Sequence, residues 1–280
     1  VMRPRDVTLD GPHGPLGVRV YAAEAPTGAV VVWAHGGGFA AGSIDMPEGD
    51  WVARAFAARG ITAVSVDYAL APIEPGSRWA DHEPHDGVRY PIASEEIECA
   101  LAWARDRAAE WGGEPSRVAI GGASAGANLA TGVVVRLLKT GRALPAHVVL
   151  AYPTLHAVQP AVPVELAAAL ADAGLSAQFA PAAVREMYEN YLGGSVDTAD
   201  SIGAPGTATD GELVGFPPTT IVASEVDELR VSGEAFAHSL AGVDADVRCT
   251  VESGTRHGHL NRPDEPGAEA TIDTFAARLA

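Results

Sequence analysis

The sequence predicts an α/β fold, a mostly parallel central sheet with helices on both faces and a small, mainly helical cap. Three observations carry that expectation. Short β-branched runs alternate with segments of helical apolar spacing along most of the 280 residues. The run Ala-Val-Val-Val-Trp-Ala at 29–34 lacks the polar alternation of a half-exposed strand, as strands buried on both faces do, and Ile-Thr-Ala-Val-Ser-Val-Asp at 61–67 reads as the next buried strand. A third run, at 118–120, passes through the small residues Gly121-Gly122-Ala123-Ser124-Ala125-Gly126 straight into an alanine-rich helical segment.

In chain order, residues 7–9 and 17–21 read as two strands around a Gly-Pro-His-Gly turn, an antiparallel edge. After the buried run at 29–34, residues 50–59 read as a helix, with Trp51, Val52, Ala55 and Phe56 at helical spacing and Gly60 closing it. The run at 61–67 is the next strand. Residues 95–111 read as a helix with Ile97, Leu101, Ala104 and Ala108 on one face. A strand at 118–120, a helix at 126–138 and a strand at 148–152 follow. The alternation stops after Pro153. Residues 155–215 hold helical patterns at 165–173 and 182–192 among loops rich in Gly, Thr and Asp. It resumes with a strand at 219–223, a helix at 231–240, a strand at 246–251 and a helix from 267 to 279. No linker is long enough to divide the chain. A single domain over 1–280 is expected, with 155–215 inserted as a cap over the C-terminal edge of the sheet.

Composition narrows the function classes. With 47% hydrophobic residues the chain can bury a substantial core. The formal charge of −17 disfavours a nucleic acid or an anionic membrane as partner, because a phosphate surface would be repelled. Cys99 and Cys249 lie far apart in apolar surroundings and read as buried thiols without a disulfide or metal-ligand pattern. No run approaches membrane-span length, and the first residues lack the apolar core of a signal peptide, so a cytoplasmic location is expected.

The chemistry centres on Gly122-Ala123-Ser124-Ala125-Gly126, a G-x-S-x-G pentapeptide. A serine on a sharp strand-to-helix turn needs small neighbours two residues away on each side, and the turn lifts its hydroxyl out at the end of the sheet. His35-Gly36-Gly37-Gly38-Phe39 follows the first buried run, and consecutive glycines let several backbone N–H groups converge on one anion. Such donors are what the tetrahedral intermediate of acyl transfer requires. Of nine histidines, His257 stands out, in a loop between the last strand and the last helix and directly before a glycine; His259 is its rival. The acid is expected at the end of the preceding strand, where Asp227 is the first choice, Glu225 the second, and Glu228 fits a helix N-terminus. The order Ser124, Asp227, His257 is the one expected of an α/β-hydrolase.

The chain resembles the hormone-sensitive-lipase-like (bacterial family IV) carboxylesterases. The matching stretches are His35 to Phe39, Ser65-Val66-Asp67-Tyr68-Ala69-Leu70-Ala71-Pro72, Gly122 to Ala130, Phe216-Pro217-Pro218-Thr219, Asp227-Glu228-Leu229-Arg230 and His257-Gly258. The resemblance implies a serine carboxylesterase acting through an acyl-enzyme, with Gly37, Gly38 and Ala125 as the oxyanion hole and His35 bracing its loop. Three departures are visible. Ala123 stands where the family usually has Asp, which removes a local hydrogen-bond support for the active-site loops. His259 stands where it usually has Phe or a similar residue. The N-terminal helical cap segment common in the family is expected to be absent or short, leaving a more open acyl pocket.

A small-molecule ester with a short or medium acyl chain is therefore the expected substrate, with no cofactor, no metal and no nucleic acid or membrane partner. A homodimer through the edge strand at 246–251 is also expected. The rival readings are a hydrolase of a related amide, carbamate or lactone bond, which the same nucleophile would serve, and a non-catalytic ligand-binding scaffold. The run Asp81-His82-Glu83-Pro84-His85-Asp86 brings carboxylates and imidazoles together, but adjacent residues in a Pro/Gly loop seldom all face one ion, so a solvated acidic loop near the pocket mouth is expected.

Overall fold

The computed structural model describes residues 3–77 and 82–280. Eight strands form one sheet: β1 (Arg5–Gly11), β2 (Gly14–Tyr21), β3 (Val30–Ala34), β4 (Thr62–Asp67), β5 (Val118–Ala123), β6 (Val148–Ala151), β7 (Thr219–Val226) and β8 (Val247–Arg256). Their spatial order is β1-β2-β4-β3-β5-β6-β7-β8, with β1 and β2 antiparallel to their neighbours and every pairing from β4 through β3 to β8 parallel. Parallel pairing follows from the helical crossovers, which return the chain to the same end of the sheet after each strand.

The absence of polar alternation in the run at 29–34 has a direct counterpart in the packing. Val30, Val32 and Ala34 of β3 enter one apolar layer, and Val31 and Trp33 enter the other. On the first face lie α2 (Ile92–Arg107), α3 (Ala125–Lys139) and, further along, α7 (Arg230–Gly242); on the second lie α1 (Asp50–Ala58) and α8 (Pro266–Leu279). Trp33 is fully buried there, with its ring edge-on to Phe56 at 5.7 Å. Among the described residues no helix is long and apolar enough to cross a membrane.

Between β6 and β7 the described chain forms no strand, only α4 (Val164–Asp172), α5 (Pro181–Leu192), the one-turn α6 (Asp210–Leu213) and short 3-10 turns. Helix α5 buries Val184, Met187, Tyr188 and Tyr191 in the first apolar layer, which docks this segment onto the sheet's helical flank. Stacking of Phe39 on Tyr191, with ring centroids 4.1 Å apart, joins it to the loop that follows β3.

Three expectations are corrected. The helix expected over 95–111 runs from Ile92 to Arg107 and then tightens into a 3-10 turn that ends on the left-handed Gly112. The final strand is longer than the 246–251 run, reaching Arg256, because β7 also extends to Val226 and continues the ladder past a register shift to the pair Val226 and Arg256. Neither cysteine is buried: Cys99 is half-buried on α2, and Cys249 is exposed on β8, the sheet's last strand, where residues 248–251 are all exposed.

Candidate active site

The turn between β5 and α3 carries Ser124 at φ 52°, ψ −113°, a conformation that side-chain-bearing residues rarely adopt. Crowding explains the small neighbours. A Cβ on Gly122 would meet the Gly126 backbone at 2.5 Å and the Ala34 carbonyl at 2.7 Å; one on Gly126 would meet the Ala34 and His35 carbonyls at 2.2 and 2.3 Å. The turn is pinned where the Ser124 N–H donates to the Ala151 carbonyl at 2.9 Å, and α3 begins at Ala125 with its free N–H groups directed toward the serine's surroundings.

The extended β7–β8 ladder brings two other predicted residues side by side. Val226 and Arg256 are register partners, so Asp227 and His257 are the next residues on adjacent strands. The His257 Nδ1–H donates to Asp227 Oδ2 at 2.7 Å, which leaves Nε2 to accept from the Ser124 hydroxyl at 3.0 Å. Asp227 is 2% exposed and its other oxygen accepts from the Leu229 N–H at 2.9 Å. Ser124 is itself only 5% exposed, at the floor of a cleft of about 570 Å³ lined by Gly37, Gly38, Met46, Phe179 and His257 among others.

The rivals fall elsewhere. His259 is buried, with one ring nitrogen 2.9 Å from the Ser224 hydroxyl and the other 2.8 Å from that of Thr271; burial lowers its pKa to about 3. It faces the core and not Ser124. Glu225 accepts from the Gly254 N–H at 2.7 Å and steadies the turn near the end of β8. Glu228 accepts from the backbone N–H of Phe179, and burial holds its pKa above the usual carboxylate range.

The glycine loop lies against the turn. Gly37 and Gly38 have φ of 117° and 58°, and a Cβ on Gly37 would meet the Ala41 carbonyl at 1.9 Å, so only glycine fits there. His35 is buried, its ring stacked on Tyr68 at 4.5 Å and its Nδ1–H donating to the Gly36 carbonyl at 2.6 Å; burial lowers its pKa to about 4. The Tyr68 hydroxyl donates to the His35 carbonyl at 2.8 Å. These contacts tie the His35 ring to Gly36 and Tyr68 and brace the loop after β3.

Of the acidic run at 81–86, Asp81 lies outside the described residues. His82 lines the cleft, and the ring nitrogens of His85 lie 2.7 Å from the Asp86 carbonyl and 3.0 Å from that of Ala40. Among the described residues no three His, Cys, Asp or Glu side chains gather as a metal site would require.

Sequence reasoning missed Glu48, Tyr152, Phe179 and Asn261. Glu48 is 2% exposed and borders the cleft. Its carboxylate accepts from the Gly36 N–H, the Tyr152 hydroxyl and the Asn261 side-chain amide, each at 2.7 Å, and burial raises its pKa. Tyr152 has φ 34° and places its ring against both His257, at 5.0 Å, and His259, at 4.8 Å. None of these residues belongs to a recognisable motif. The one sequence signal was indirect, since Ala123 left a carboxylate unaccounted for.

A family model described as alpha/beta hydrolase fold matches residues 31–261. Carboxylesterase NlhH of Mycobacterium tuberculosis is 32% identical over 241 residues, covering 83% of this chain and 66% of its own, so the chain spans just under two thirds of that relative. Esterase LipI of the same organism is 30% identical over 270 residues, covering 92% of this chain and 75% of its own. Among solved structures, an esterase of the archaeon Pyrobaculum calidifontis superposes with a TM-score of 0.82 at 27% identity, covering 100% of this chain and 85% of that one.

Proposed function

The chain belongs to the hormone-sensitive-lipase-like carboxylesterases of the α/β-hydrolase family, and we propose that it hydrolyses small carboxylic esters through Ser124, His257 and Asp227. The observation that carries this reading is the continuous relay from Asp227 Oδ2 through His257 to Ser124 Oγ, at 2.7 and 3.0 Å, on the floor of the cleft.

Ser124 Oγ attacks the ester carbonyl while its proton passes to His257 Nε2. The carbonyl π bond opens and its electron pair becomes an oxyanion, held by the backbone N–H groups of Gly37, Gly38 and Ala125. One such donor is worth about 3 kcal/mol in the transition state. Collapse expels the alkoxide, which takes the proton from His257 and leaves as alcohol. Water then attacks the acyl-enzyme, giving its proton to His257; the second collapse returns that proton to Ser124 Oγ and releases the acid. Asp227 holds the imidazole in the tautomer that can accept at Nε2 and stabilises the imidazolium in between.

We assign residues 155–215 to a cap on a single hydrolase domain, with the Phe179 ring 4.4 Å from that of the catalytic histidine. Such a cleft suits short or medium acyl or aryl esters. Pairing of two copies through the exposed edge strand β8 is part of the same proposal, and light scattering reads it as a mass twice that of the 28.8 kDa chain. The deciding experiment is Ser124→Ala assayed on p-nitrophenyl acetate, with organophosphonate labelling of the unaltered chain; retained turnover in the variant, or no label, rejects the reading. A panel of ester, amide, carbamate and lactone substrates then sets the bond class.

A further inference from the structure

We infer that Glu48 is a positioning residue of the hydrolytic site, whose carboxylate locks the oxyanion loop and the histidine loop into one fixed geometry. The inference rests on the esterase reading of Ser124.

Three separate parts of the chain meet on this one side chain. Oε2 accepts from the N–H of Gly36, the residue immediately before the two proposed oxyanion donors. Oε1 accepts from the Tyr152 hydroxyl, at the end of β6, and from Asn261, four residues after His257. Asn261 closes the joint by accepting from the Glu48 N–H at 3.2 Å, and the Trp33 indole donates to the Glu48 carbonyl at 2.7 Å. Both the backbone and the side chain of Glu48 are therefore tied down. The site also excludes alternatives: a Cβ on Gly36 would meet Glu48 Oε2 at 2.6 Å and Ser124 Cβ at 3.2 Å, so carboxylate, glycine loop and nucleophile are packed in contact.

The chemistry of the donors selects a carboxylate. Gly36 N–H and the Asn261 amide can only donate through the atoms that face Glu48, and they approach different oxygens. A glutamine offers one acceptor oxygen and one donor NH2, so one of the two loops must face a donor across a buried hydrogen-bond distance. Ala123 gives this chain no carboxylate within the nucleophile motif, and Glu48 brings one to the neighbouring Gly36 from the segment before α1.

A residue that aims transition-state donors affects kcat more than KM, because the oxyanion exists only after attack. The test compares the unaltered chain with Glu48→Gln and Glu48→Ala well below their melting temperatures. It reads kcat and KM for p-nitrophenyl acetate and inhibition by an alkyl trifluoromethyl ketone, which Ser124 converts to a hemiketal oxyanion. The expected result is a kcat lower by about tenfold to hundredfold, KM within about threefold, and ketone inhibition weakened in step with kcat/KM. A lowered melting temperature with full kcat and undiminished ketone affinity makes Glu48 a structural support only and overturns the proposal; so does a raised KM at full kcat. If neither Glu48 variant folds, Tyr152→Phe and Asn261→Ala each remove one donor, and unchanged kcat in both overturns it equally. Organophosphonate labelling of Ser124 in the unaltered chain is the control: its absence rejects the esterase reading itself, whereas labelling together with normal Glu48 variants rejects only the role given to Glu48.

Discussion

The ring of Phe179 lies 4.4 Å from the imidazole of His257, centroid to centroid, with the planes tilted by 60°. The contact joins the loop between α4 and α5 to the proposed general base. Its anchor is the hydrogen bond from the Phe179 N–H to the buried Glu228 carboxylate, one residue beyond the proposed catalytic acid.

Phe179 lines the cleft beside His257, so removing its ring should enlarge the cleft there. For Phe179→Ala, losing one face of apolar contact with the acyl or leaving group costs about 1–2 kcal/mol, so kcat/KM for p-nitrophenyl butyrate should fall about fivefold to thirtyfold. The loss should be smaller for longer chains that can fill the vacated volume. Kinetics across a C2 to C10 ester series check this; a uniform loss at every length would show that the ring positions His257 and does not shape the pocket.

The two strand-end acids should separate cleanly. Asp227→Asn keeps the shape but removes the charge and favours the wrong imidazole tautomer, so kcat should drop by about 10³–10⁴-fold. Glu225→Gln touches only the Gly254 turn and its neighbour Ser253, and kcat should stay within about twofold. Steady-state kinetics on both variants decide the assignment, and a reversal of the two effects would move the acid to Glu225.

Backbone strain at Ser124 should be measurable as stability. Its φ of 52° with ψ −113° is a conformation glycine adopts freely, so Ser124→Gly should be inactive yet more stable by about 1 kcal/mol, or about 2–4 °C in Tm. The converse applies to Gly126→Ala. Its new Cβ meets two backbone carbonyls at 2.2 and 2.3 Å, which should cost more than about 2 kcal/mol and disrupt the turn. Thermal melts of the two variants should move in opposite directions.

Acid should destabilise the fold through its buried histidines. Burial lowers His259 from its ordinary 6.5 to about 3, and His35, His147 and His156 to about 4. Between those values and 6.5 the unfolded chain binds protons that the folded chain excludes. Their contribution is therefore fully present above pH 6.5 and is lost progressively as the pH falls toward 3. Glu48 and Glu228, whose pKa values burial raises, act with the opposite slope above their ordinary value of 4.5, so the sharper readout is a difference. His259→Phe should lower stability at pH 8 by leaving the Ser224 and Thr271 hydroxyls without that partner, yet flatten its decline between pH 6.5 and 4, followed by urea unfolding at each pH.

Local pattern was enough for much of this molecule. The buried runs at 29–34 and 61–67 became β3 and β4 with apolar side chains entering both layers, because a strand covered on two faces favours apolar side chains at successive positions; in β4 the polar exceptions Thr62 and Ser65 are themselves buried, and Asp67 ends the strand in the open. The glycines flanking Ser124 and the run from Gly36 to Gly38 were legible for a related reason: backbone crowding and positive φ restrict those positions to the smallest residues, and that restriction is written in the sequence itself. The order of serine, acid and histidine followed from strand ends that could be counted along the chain.

What the sequence could not place was anything set by register or by side chains arriving from elsewhere. The sequence ranked Asp227 ahead of Glu225 and Glu228, but the contact itself is set by the Val226–Arg256 pair, which brings Asp227 beside His257; a shift of one residue would have turned Asp227 to the other face. The contact of Phe179 with His257 depends on how the segment between β6 and β7 folds back, which no periodicity encodes. Glu48 reads in the sequence as one more acid ahead of a helix; only the tertiary fold brings Gly36, Tyr152 and Asn261 to its carboxylate across as many as 213 residues of chain. Sequence by itself determined the backbone shapes that sterics restrict, and the fold decided the hydrogen-bond partners, because a buried polar group takes whichever donors the packing brings within reach.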